Sequence, residues 1–138
     1  MCLAVQVKGN EYIFGAYTHC RWPAGDAIVA DPPGKSFLFS LVNASGSAVR
    51  FSLRDKDRAI QLADSISFGA AKYEDGKAIG YPNLILMLKG AADQKDANCT
   101  NPINANKAYQ SDDHHVRDKT FLAGQEFFAA AEIEVFQL

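Results

Sequence analysis

The sequence has no long apolar run. Its longest aliphatic string, Leu84-Ile85-Leu86-Met87-Leu88, holds five residues, against the ~20 that span a bilayer as a helix. No transmembrane segment is expected. The first residues, Met1-Cys2-Leu3-Ala4-Val5-Gln6-Val7-Lys8, lack the charged start and apolar stretch of a signal peptide. Cys2 stands where a myristoylated chain needs glycine. Lys and Arg never form a run. The densest charge, Arg54-Asp55-Lys56-Asp57-Arg58, alternates in sign and reads as a solvated turn. With a net charge of -2, the chain offers no basic footprint for nucleic acid. Cysteine is scarce. Cys2, Cys20 and Cys99 are widely spaced and odd in number, which argues against a disulfide scaffold and for a reducing compartment. An intracellular, cytoplasmic protein is expected, and the N-x-Ser/Thr triplets at Asn43 and Asn98 then count as chance matches.

Signatures of catalysis are missing too. There is no C-x-x-C, no H-x-x-x-H, no G-x-S-x-G elbow and no Gly-rich phosphate loop. No cofactor is expected. His114-His115, beside Asp112 and Asp113, is the most metal-like cluster. Neighbours in an extended segment point in opposite directions, so the pair is read as a surface loop in preference to a metal site. His19-Cys20 sets a base beside a thiol, but sequence neighbours are poorly placed for proton transfer. Arg21 would lower the thiol pKa only slightly, and an ordinary loop or core thiol is the preferred reading. Glu126, Glu132 and Glu134 are the one close group of Glu carboxylates. The last two share a strand face and read as solvated rather than as an acid–base pair.

What is present is apolar and turn-rich. The 138 residues suit one domain. Leu3, Val5 and Val7 alternate with Ala4, Gln6 and Lys8 as in a half-buried strand. Gly9-Asn10 makes a tight turn, and Tyr12-Ile13-Phe14-Gly15-Ala16-Tyr17-Thr18 is a second strand. A Pro- and Gly-punctuated loop runs from His19 to Lys35, long enough to be functional or to carry a short helix. Ser36 to Val42 is almost wholly apolar and reads as a strand covered on both faces. It forms a hairpin with the alternating Val49, Phe51 and Leu53. Ala59 to Leu62 and Leu84 to Leu88 are short strand candidates, 66–81 reads mostly as loop, and 89–120 as a long irregular excursion. Glu126 to Leu138 fits both helical spacing and strand alternation. Five to seven strands without regular strand–helix alternation imply an antiparallel sandwich or barrel. Phe14, Phe37, Phe39, Phe51 and Phe136 are expected to pack between the sheets. Trp22, in its Pro/Gly loop, is either an interface anchor or a cap on the core.

Three stretches resemble the TLDc family in order and spacing. Tyr12 to Thr18, followed by Trp22, is similar to the family's F-G-G-Y-T segment, with Phe14 and Gly15 in place and Ala16 where the second glycine stands. Lys35 to Asn43 is similar to its S-F-L-F-S-L strand, with Phe37 and Phe39. Phe121-Leu122-Ala123-Gly124, then Phe127-Phe128, then Glu132-Ile133-Glu134-Val135-Phe136, resemble its closing F-L-A-G, F and E-I-E-V-F pattern. Of the central F-G-G-G-x-D-L segment only Ser67-Phe68-Gly69 survives, and Asn83 stands where the family has Asp. The chain starts one strand before the F-G-G-Y-T segment, so it reads as a single domain, 1–138, without the family's usual N-terminal portion.

The resemblance implies a mainly β fold, a two-sheet antiparallel β-sandwich with a few short helices, and it makes the last segment a strand. It implies a non-catalytic protein-binding module linked to oxidative-stress resistance, with the vacuolar-type proton ATPase as partner. The expected contact surface is Tyr17, His19, Arg21 and Trp22, with Asp112, His114 and His115. The rival readings are a hydrolase or thiol-redox enzyme using Cys20 or Glu126, Glu132 and Glu134, and a family member that has lost its partner surface.

Overall fold

The computed structural model describes residues 1–22, 24–63, 65–80, 82–87, 97–99, 108–111 and 120–138. Every strand pairing in it is antiparallel. One sheet is built from β1 (Cys2–Val7), β2 (Ile13–Tyr17), β4 (Phe37–Val42), β5 (Val49–Leu53), β12 (Tyr109–Gln110) and β14 (Ala130–Phe136), in the order β12-β5-β4-β2-β1-β14. The other draws on β3 (Ala27–Val29), β6 (Ile60–Leu62), β7 (Ser65–Phe68), β10 (Leu84–Met87), β11 (Ala97–Cys99) and β13 (Phe127–Phe128), in the order β13-β11-β10-β7-β6-β3. A small ribbon joins β8 (Lys72–Glu74) to β9 (Lys77–Gly80).

The two expected hairpins form. Gly9 takes a φ of +90°, and Asn10 accepts from the Tyr12 N–H at 2.9 Å, so the β1–β2 turn is closed by a side chain as well as by backbone. Asn10 Nδ2 also donates to the Ala123 carbonyl at 3.0 Å, tying that turn to the Phe121–Gly124 segment. In the β4–β5 turn Asn43 donates to Ser40 Oγ and to the Ser47 carbonyl. The final segment is a strand. Ile133 and Val135 face the inner side beside Val5 and Leu3, and the long pairing with β1 outweighs the alanine-rich helix propensity.

Several expectations are corrected. Fourteen strands occur among the described residues, because the stretches read as loops contain strands of two to four residues, too short to display a period. The 66–81 stretch holds most of β7 and all of β8 and β9. Asp75 and Gly76, both at positive φ, form a two-residue turn between Glu74 and Lys77. The 19–35 loop carries β3, not a helix. The only helix among the described residues is the single 3-10 turn Lys56–Arg58, so the few short helices are not found there and no α-helix is. In that charged turn Arg54, Lys56 and Asp57 are exposed as expected, and Arg58 is the exception. Arg58 is 7% exposed, its Nε lies 2.7 Å from Asp55 Oδ2, and it donates to the Ala70 carbonyl at 3.0 Å. Of the 89–120 excursion, the described part contains β11 and β12.

The core draws on both sheets. Leu3, Val5, Phe14, Leu38 and Phe51 come from the first, and Ile60, Ile66, Phe68, Leu84 and Leu86 from the second. Phe14 of β2 meets Phe128 of β13 edge-on, with ring centroids 5.2 Å apart. Phe37, Phe39 and Phe136 are not among the core residues. In β4 the alternation places Leu38 and Ser40 inward, which turns Phe37, Phe39 and Leu41 outward. β4 is therefore not covered on both faces, and Leu41 is 54% exposed. Phe136 is 46% exposed on the outer side of β14. Among the described residues no helix is long and apolar enough to cross a membrane.

Candidate functional site

The loop after β2 is tied down at its root. The Met1 ammonium donates to the Thr18 carbonyl at 2.9 Å, and the Thr18 N–H donates back to the Met1 carbonyl at 2.8 Å. Cys20 N–H donates to Thr18 Oγ1, and its thiol to the Ala30 carbonyl at 3.4 Å. Ser36 Oγ accepts from the His19 N–H at 3.1 Å, while the Ser36 N–H donates to Asp31 Oδ2 at 2.7 Å. The Asp31 N–H reaches the Lys56 carbonyl. Thr18, Asp31 and Ser36 are all buried, so these bonds replace water that the root excludes.

This polar knot sets the local ionisation. Burial pushes the Asp31 carboxyl up, but the Ser36 hydroxyl and N–H, the charge of His19 and the Lys35 N–H outweigh it and hold Asp31 below the ordinary carboxylate value. Burial pushes the Cys20 thiol up, and the Asp31 charge adds to that against the hydrogen bonds of Thr18 and Ser36. Cys20 is thus less of a thiolate at neutral pH than an ordinary cysteine, opposite to what a redox sensor requires. Tyr109, whose hydroxyl donates to the Ala59 carbonyl at 2.8 Å, is pushed far above its usual value by burial, then by Cys20 and Asp31.

Asp31 yields a pH-dependent prediction. A carboxyl depressed in the folded state contributes stability above its unfolded value and loses it as pH falls through the folded value. Asp31→Ala is expected to lose about 1–3 kcal/mol at neutral pH, the usual effect of stranding a buried donor. The gap to the unmodified chain should narrow in acid, where Asp31 is protonated in both states. Urea unfolding at neutral and acidic pH measures this, and a gap that widens in acid would contradict it.

The expected contact residues separate by environment. His19 and Arg21 are exposed at the surface of the loop. Trp22 is half-buried and packs against the core, with its Nε1 buried and without a hydrogen-bond partner among the described residues, as is Asp31 Oδ1. Of its two readings the core cap is the one the packing supports. Asp112, His114 and His115 lie outside the described residues. Tyr17 belongs to the outer face of the first sheet, where it stacks on Phe37 with centroids 5.2 Å apart and rings inclined by 29°. Arg50 lies over the other aromatic neighbour of this group, its Cζ 4.0 Å from the Phe37 centroid. Composition alone had not singled out Arg50. Its place on β5, opposite Phe39, is a matter of strand register.

The carboxylates occupy the same sheet face at its other end. Glu132 and Glu134 line a shallow depression of about 120 Å³ with Ala4, Gln6 and Ile13. No His or Cys joins them in that lining, and Glu126 is elsewhere. Among the described residues no group of three or more His, Cys, Asp or Glu is placed to hold a metal.

The TLDc domain model matches residues 1–138, the full length of the chain. The chain belongs to the TLDc family. No curated protein and no solved structure matches it. The TLDc motif residues divide by role in the structure. Phe14 and Phe68 are buried in the core, and Phe121 packs against it, edge-on to Phe51 at 6.0 Å. Gly69 and Gly124 hold positive φ values of 80° and 79°. Phe37, Phe39, Glu132, Glu134 and Phe136 lie on the outer face. One residue of the altered TLDc segment has a role its sequence did not announce. Asn83, fully buried before β10, donates to the Tyr109 carbonyl at 2.8 Å and accepts from the Tyr109 N–H at 3.0 Å. Its side chain completes the free edge of β12 as another strand would.

Proposed function

We propose that this TLDc domain is a non-catalytic protein-binding module that acts in oxidative-stress resistance inside the cell, by regulating the vacuolar-type proton ATPase. The family match over the whole chain carries this reading. The two sheets are read as the layers of a β-sandwich, supported by the Phe14–Phe128 contact and a core drawn from both. A loop with a rigid root and exposed His19 and Arg21 suits recognition, since ordering it at an interface costs little further entropy. The carboxylates and Cys20 favour no enzyme reading: Glu132 and Glu134 line an open hollow without Glu126, and the thiol holds its proton.

The purified domain is expected to bind the peripheral sector of the ATPase saturably and to change its ATP hydrolysis. A His19→Ala/Arg21→Ala double variant should lose that binding while melting like the unmodified chain. Trp22→Ala should instead lower the melting temperature by several degrees, as removal of a half-buried indole costs about 2 kcal/mol. A demonstrably folded domain that shows no saturable binding would overturn the reading in favour of a member that has lost its partner surface.

A further inference from the structure

We propose that the outer face of the first sheet is a docking surface for a second copy of this chain. Glu134 lies opposite Ala4, Ala4 opposite Gly15, Gly15 opposite Phe39, and Phe39 opposite Arg50. These five residues form one line across five strands, about 19 Å long at the usual strand spacing. A carboxylate stands at one end, a guanidinium at the other, and Gly15 at the midpoint. The middle is apolar: the Phe39 ring covers Gly15, and Tyr17 and Phe37 stack in the adjoining row. Phe136 and Leu41 leave about half their surface to solvent on this same side.

Such a line is complementary to itself under one operation. A two-fold axis parallel to the strands and passing above Gly15 sets each Arg50 over the other copy's Glu134 and stacks the aromatic middles. An axis running along the line would instead oppose Arg50 to Arg50 and Glu134 to Glu134, so charge selects the first arrangement. It is also the aligned geometry in which two sheets pack face to face. The hollow beside Glu134 is lined by Glu132 as well, which gives the incoming guanidinium two carboxylates. In each free copy the Arg50 head rests on Phe37, held on this face by the ring and in no ion pair among the described residues. A single sheet face is small for a protein interface, so the dimer is weak and reversible. This inference does not rest on the ATPase reading. A chain that dimerises without binding the ATPase, or binds it as a monomer, would separate the two.

Sedimentation equilibrium of the 138-residue chain over a wide concentration range tests it. A monomer–dimer equilibrium that weakens with added salt is expected. Arg50→Glu and Glu134→Arg should each weaken association by about tenfold or more, as juxtaposed like charges do. The double variant Arg50→Glu/Glu134→Arg should return to within about threefold of the original, because the exchanged charges face each other again. Circular dichroism confirms that each variant is folded. A chain that stays monomeric throughout, or a dimer in which the double variant is no better than either single one, would overturn the proposal.

Discussion

Gly15→Ala is expected to lose about 3 kcal/mol of folding stability, read as a lower urea midpoint. The added methyl would overlap the Leu3 carbonyl oxygen, and it would lie 2.5 Å from Phe39 Cζ. The ring has room to swing away. The carbonyl does not, because β1 is fixed on its other side by β14, and β2 is fixed by β4. The next residue makes the contrast. Ala16 keeps a methyl at the second glycine of the family's F-G-G-Y pattern, since it points into the core, where it is buried and accommodated. A loss under about 1 kcal/mol at Gly15 would mean that the two backbones are not as close as described.

The second large effect is expected at Asn83. Asn83→Ala strands the N–H and the carbonyl of Tyr109 together, and each buried backbone group without a partner costs about 1–3 kcal/mol. Asn83→Asp is the sharper probe. A carboxylate still accepts from the Tyr109 N–H but faces the Tyr109 carbonyl with no hydrogen to give. Protonated, it donates again. The folded state therefore raises the pKa of the new carboxyl, and its penalty grows as pH rises above the unfolded value near ~3.9. Asn83→Asp should be markedly destabilised at neutral pH and recover part of the way toward the original chain in acid. An equal penalty at both pH values would show that Asn83 does not act through its amide.

These positions mark the limit of what a linear reading reaches. Alternation identified β1 and β5, strand-forming residues identified β2 and an almost wholly apolar run identified β4, with a turn residue between the two members of each hairpin. It did not say which side of the apolar string Phe37–Val42 faces the core. When every position is apolar, both phases fit, and the inner side depends on the partner Leu38 meets across the molecule. The ribbon around Asp75-Gly76 was read as loop, because Lys72, Tyr73 and Glu74 before that turn are exposed and carry no apolar alternation. Arg58 looked solvated because its partners are a side chain three residues back and a carbonyl at position 70. Asn83 was noticed only as a departure from a motif. Its role depends on Tyr109, and such pairings leave no local trace. On the candidate surface, Trp22 was recognisable as a choice between two roles, and only its packing separates them.

The place of β1 has a consequence for synthesis on the ribosome. Val5 pairs with Phe14, a neighbour that is made almost at once, and with Ile133, which is made far later. Until β14 is made, one flank of this apolar strand has hydrogen-bonding groups and no native partner. A nascent chain in that condition is open to pairing with other strands, its own or another's. The sheet closes only when β14 leaves the exit tunnel, so a strand made late protects one made early.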